Sequence, residues 1–172
     1  DQGYRGTCVA FAAIATLEEK FEGKIDLSEQ HLYYQIKKKF FPKSDGIMPE
    51  IIPALINFSG PLCVAEESAW PYNKNLIKNN IPQGPPPKDI DQKPQYCIDD
   101  TSFIPIPLAR NTSLLKAILA DGYNVLITVL LPKTWKKTWF TPDGIIKAEP
   151  TKLQSYIPDG AHGILLVGYD EK

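Results

Sequence analysis

The chain has 172 residues, long enough for one domain with its own core. Its 19 Lys and Arg against 20 Asp and Glu leave a net charge of −1, so nothing in the charge argues for nucleic acid or an acidic membrane surface as a partner. No apolar run reaches membrane-spanning length, since the longest, around 125–131, is interrupted by Thr128.

The 16 prolines predict a loop-rich fold with irregular connections. The 3 cysteines, Cys8, Cys63 and Cys97, are an odd number. In an oxidising compartment the economical reading is one disulfide and one free thiol. The pairing that spares the cysteine at a helix start is Cys63–Cys97. The alternative is a set of reduced thiols in a cytosolic protein. The 2 histidines and 3 cysteines have no metal-ligand spacing, so neither a metal nor a cofactor is implied.

The opening stretch is polar and punctuated by glycine until Thr7, then turns apolar. Val9, Phe11, Ala12, Ile14, Ala15, Leu17 and Phe21 predict a helix from Cys8 to about Glu22, stopped by Gly23. A cysteine at that position sits among the free N–H groups of a helix start, which favour a thiolate. Ser28 caps a second helix running to about Lys39. His31, in its first turn, is expected at the surface or partly packed rather than catalytic, and Lys37, Lys38 and Lys39 are expected to form a solvated helix end.

Phe41 to Gly46 reads as a loop. Pro49 opens a third helix, Glu50 to about Phe58, closed by Gly60. An acidic and aromatic connection, Cys63 to Tyr72, precedes an irregular proline-rich stretch at 79–94. Ser102–Leu108 is a predicted strand. Asn111 or Thr112 caps a helix to Ala120, with Gly122 as its stop. Tyr123–Leu131 is predicted as a buried strand, and Gly144–Lys147 as a short one. Tyr156–Gly160 is predicted as a turn, and 161–170 as a second core strand beginning near His162. Helices come first and strands second, without βαβ alternation. The expected fold is α+β, a helical part packed against an antiparallel sheet or barrel, with a cleft between them.

Cys8 and His162 together form a candidate nucleophile and base. The imidazole can take the thiol proton, giving a thiolate–imidazolium pair. Gln2, just upstream, offers a side-chain amide to a developing oxyanion, alongside the Cys8 backbone N–H.

The stretch Gln2-Gly3-Tyr4-Arg5-Gly6-Thr7-Cys8-Val9-Ala10-Phe11 resembles the Q-G-x-C-G-S-C-W-A-F motif of papain-like cysteine peptidases. Leu27-Ser28-Glu29-Gln30-His31-Leu32 matches that family's L-S-E-Q-x-L. Glu66-Glu67-Ser68-Ala69-Trp70-Pro71-Tyr72 is similar to E-x-x-Y-P-Y, and Gly144-Ile145-Ile146 to G-G-I-[FY]. His162-Gly163-Ile164-Leu165-Leu166-Val167-Gly168-Tyr169 is similar to H-A-V-x-x-V-G-Y. These motifs follow the family's order and span most of the chain.

The resemblance implies a peptidase domain over 1–172, with a mainly helical part to about 100 and a mainly β part from about 101. It implies Cys8 as nucleophile, His162 as general base and acid, and Gln2 as oxyanion donor. Asp45, Gly46 and Ala161 are implied as substrate-binding positions, although the usual G-C-x-G-G form is absent around Gly46. The implied partners are a peptide or protein substrate and a propeptide or protein inhibitor. A secreted, periplasmic or lysosome-like compartment is expected rather than the cytoplasm.

Departures from the family pattern qualify this. The orienting asparagine of the family's N-S-W-G motif is not present after His162, so the domain is expected to be truncated at both ends. Arg5 stands where the family has a cysteine; its guanidinium is expected to point to solvent, the alternative being that it favours the thiolate of Cys8. Val9 replaces a tryptophan, which opens space beside the thiol. Trp135 and Trp139 either line a substrate cleft or cap the sheet. The rival readings are an impaired pseudoenzyme or peptide-binding module, and a papain-fold acyltransferase.

Overall fold

The computed structural model describes residues 2–3, 5–40, 46–48, 50–75, 85–132 and 158–170. Helices lead: α1 (Cys8–Glu19), α2 (Glu29–Lys39) and α3 (Ile51–Ser59). Strand β1 (Leu62–Val64), a 3-10 turn at Ile90–Gln92 and strand β2 (Tyr96–Ile98) follow. Then come α4 (Ile106–Ala109), α5 (Thr112–Ala120), β3 (Val125–Pro132) and β4 (Pro158–Leu166). The fold is α+β, with two small antiparallel sheets among the described residues.

Local chemistry sets these bounds. The Ser28 hydroxyl accepts the His31 N–H at 3.0 Å and so caps α2. The Asn111 side chain does the same for the Leu114 N–H at 3.1 Å, starting α5. α1 unwinds after Glu19 through turns that end at Gly23, whose φ of +65° suits a helix stop.

The core is built on α1. Val9, Ala10, Ala13, Ile14 and Leu17 pack with Leu32, Tyr33 and Ile36 of α2, Ile52 and Leu55 of α3, and Leu62 and Val64 of β1. Alanines on α1 let neighbouring backbones approach it from several sides. Ala65, Trp70 and Ile90 form a second, smaller cluster.

β1 pairs antiparallel with β2, Cys63 facing Cys97, and the two are joined by a disulfide. The expected Cys63–Cys97 pairing is therefore present, and Cys8 is the free thiol. β3 pairs antiparallel with β4, placing Val129 opposite His162 and Thr128 opposite Gly163.

Several expectations need correction. The strand predicted at Ser102–Leu108 is absent; 101–105 is irregular and Ile106–Ala109 is helical. Pro105 and Pro107 carry no N–H for a ladder, and proline fits a first helical turn. β3 is only partly buried, with Leu130 57 % exposed, so its apolar sequence does not report burial on both faces. β4 starts at Pro158, inside the segment expected to turn.

Lys37 is buried rather than solvated, and its Nζ donates to the Gly46 carbonyl at 3.0 Å. His31 is also buried; its Nδ1 accepts the Ala65 N–H at 3.1 Å. Expectations for Asp45, Pro49, Trp135, Trp139, residues 144–147 and residues 79–84 lie outside the described residues.

Candidate active site

Cys8 is the first residue of α1, and the first N–H groups of a helix have no intrahelical acceptor. Its side chain is half-buried. The decisive contact comes from the other end of the sequence. The Gly163 N–H donates to Cys8 Sγ at 3.2 Å, across 155 residues of chain. The peptide group that makes this bond is the one joining His162 to Gly163. Standard backbone dimensions therefore put the His162 Cα within about 6 Å of the sulfur.

The direction of that N–H also fixes the local ladder. An amide aimed at the sulfur is not aimed at β3, so Thr128 and Gly163 form a non-hydrogen-bonded pair. The thiol thus sits at the edge of β4 away from β3. Alternation puts the backbone groups of Ala161 on that same edge; Ala161 is exposed. The pleat sends the His162 side chain to the face opposite the one on which Gly163 meets Val9.

His162 is half-buried. Burial alone holds its pKa below the ordinary histidine value, which favours neutral imidazole, the form able to accept a proton. An imidazolium there needs a nearby anion to offset that cost. A thiolate is such an anion.

The loop before Cys8 is braced from three sides. Gly3 has φ +62°, and a Cβ there would lie 3.0 Å from the Lys74 Cβ, so the turn calls for glycine. Tyr72 Oη donates to the Gln2 carbonyl at 3.0 Å and shares a 2.7 Å hydrogen bond with Thr7 Oγ1. One phenol therefore ties both ends of the loop. Arg5 is 2 % exposed, contrary to the solvent-facing expectation. Its Nη1 donates to Gln30 Oε1 at 3.1 Å and to the Asn73 carbonyl at 3.2 Å. Its guanidinium lies 4.9 Å from the ring centroids of both Tyr33 and Tyr72. Guanidinium is weakly hydrated and stacks on aromatic faces, so burial costs it less than it costs an ammonium.

Tyr72 is anchored in turn. Its N–H donates to Glu67 Oε1 at 2.6 Å, and the Glu67 N–H donates to the Asp26 carbonyl at 2.8 Å. The Ser28 hydroxyl donates to the Trp70 carbonyl at 2.6 Å. The α2 cap, the 65–72 segment and the Cys8 loop therefore form one hydrogen-bonded scaffold.

Gln2 Nε2 donates to the Arg5 carbonyl at 3.2 Å, within its own turn. A primary amide has a second hydrogen, which that bond leaves for another acceptor. The Gly46 carbonyl accepts from Lys37 Nζ at 3.0 Å, and Asp45 lies outside the described residues. Cys63 and Cys97 form the cross-strand disulfide already described.

Arg5, Tyr72 and Gly163 were not identified as site-building residues from sequence. Tyr72 and Gly163 fall inside motif-like segments, which was the available signal. Nothing in the sequence marked Arg5 for burial. Among the described residues, no group of three or more His, Cys, Asp or Glu side chains is arranged to hold a metal. No described helix is long and apolar enough to cross a membrane. No protein-family model and no curated protein matches the chain.

Proposed function

We propose that this chain is a cysteine-type peptidase domain of papain-like kind, with Cys8 as nucleophile and His162 as general base and acid. The observation that carries the reading is the 3.2 Å bond from the Gly163 amide to Cys8 Sγ, which joins a free helix-start thiol to the residue beside the histidine. In this reading His162 takes the thiol proton, and the sulfur attacks a peptide carbonyl. The C–N bond breaks, the amine leaves with the proton from His162, and a thioester remains on Cys8. Water, deprotonated by His162, then adds to the thioester carbonyl. The C–S bond breaks and the acid product is released. The Cys8 backbone N–H and the second Gln2 amide hydrogen are the oxyanion donors.

The cross-strand disulfide supports an oxidising compartment. Peptide or protein is the substrate class; a propeptide or protein inhibitor would occupy the same cleft.

The test is turnover of a mixed peptide library by the full-length protein, with and without an added primary amine. Cleaved peptides carrying free carboxylates, and loss of all cleavage in Cys8→Ala, are the expected result. Amine adducts alone would instead indicate an acyltransferase. A folded full-length protein that leaves every peptide intact would leave only a binding module.

A further inference from the structure

Gly163 has no room for a side chain. A Cβ on it would lie 2.8 Å from the Val9 Cγ2, and 3.2 Å from both the Cα and the N of Val9. The last two are backbone atoms of α1, which cannot rotate away as a side chain can. Glycine is therefore what lets β4 press against the first turn of α1. It is at this approach that the Gly163 N–H meets Cys8 Sγ. Gly163 itself is buried, and the bond is partly so.

We propose that Gly163 is a positioning residue for the thiol: its missing side chain brings its amide onto Cys8 Sγ, stabilising the thiolate and fixing the sulfur relative to His162. This rests on the assignment of Cys8 as nucleophile, and deepens it.

When Cys8 gives its proton to the imidazole, a full negative charge arises on the sulfur. A backbone N–H already aimed at it stabilises that charge without reorganisation. When the sulfur bonds to the acyl carbon, charge moves to the carbonyl oxygen and the amide bond to sulfur weakens. The amide therefore acts on the fraction of thiolate available rather than on the later intermediate. Its carbonyl half belongs to His162, so one peptide group sets where the base starts relative to the nucleophile. Val9 is the complementary partner. A tryptophan there would meet the same strand.

The test reads the thiol directly, so it is independent of whether peptides are cleaved. Rates of iodoacetamide alkylation of Cys8 are measured against pH in the parent and in Gly163→Ala. The added methyl should move the alkylation midpoint upward by about one unit, a roughly tenfold loss of rate below the midpoint. Adding Val9→Ala removes the 2.8 Å contact and should recover part of that shift. An unchanged midpoint in a folded Gly163→Ala protein would overturn the proposal.

A second measurement needs no variant of Gly163. In the 15N-labelled parent protein, the Gly163 amide proton shift should titrate with the Cys8 alkylation midpoint, and this titration should vanish in Cys8→Ser. A Gly163 amide that ignores Cys8 ionisation would equally overturn it. Alkylation that follows these expectations without any peptide cleavage would leave the Gly163 role standing and count only against the peptidase reading.

Discussion

Arg5 carries a permanent charge and is yet 2 % exposed, which makes it the residue on which the loop before Cys8 most depends. Replacing it with methionine keeps similar bulk between Tyr33 and Tyr72 but leaves Gln30 Oε1 and the Asn73 carbonyl without this donor. A charged donor lost from such acceptors costs more than a neutral exchange of hydrogen bonds. Arg5→Met should lower the unfolding free energy by about 2–4 kcal/mol, read from the urea midpoint. A guanidinium in solvent would instead give a change within about 0.5 kcal/mol. Sequence favoured the solvent-facing reading because arginine is usually exposed. The rings that stack on it come from Tyr33 and Tyr72, far along the chain, and no local pattern brings them together. His31 and Lys37 are buried for the same reason: the Ala65 N–H that His31 accepts and the Gly46 carbonyl to which Lys37 donates belong to other segments.

Elements with local signals were legible. Ser28, Asn111, Gly60 and Gly122 bound their helices as helix-end chemistry requires, and the alanines of α1 marked a helix that packs closely. In segment 102–108 the apolar residues suggest a strand, but Pro105 and Pro107 exclude a ladder there. α2 also carries a titration at its start. Burial, reinforced by the charges of Glu67, Glu18 and Asp26, raises the Glu29 pKa to about 7. At the first turn of a helix the dipole favours an anion, but here desolvation wins. The sign follows from the raised pKa. A carboxyl whose folded pKa is raised contributes stability below its unfolded value, and this is lost as pH rises through the folded one. Between about pH 4.5 and 7 the protein should therefore lose part of its stability through Glu29. Glu29→Gln should melt higher than the parent by roughly 2–4 °C at pH 8, with no such gain at pH 4. An equal or lower melting temperature at pH 8 would mean that the dipole outweighs burial.

At the scale of the molecule, the candidate site joins a helix that begins at Cys8 to a strand that ends at Leu166. The α+β class was readable from the order of helices and strands. So was the Cys63–Cys97 pairing, since the free thiol was identified by its place at a helix start. The junction itself was not readable, because it depends on how near β4 comes to α1. That distance is set by the absence of one side chain at Gly163. Cys8 and His162 are proposed to work as one unit across this junction. The most direct measurement is covalent labelling of the full-length, folded protein with a peptidyl epoxide, the adduct mapped by mass spectrometry, in the parent and in His162→Ala. A single adduct on Cys8 is expected, formed slower by on the order of a hundredfold when His162 is removed. Cys8 left unlabelled in the folded parent, or labelled equally fast without His162, would contradict it.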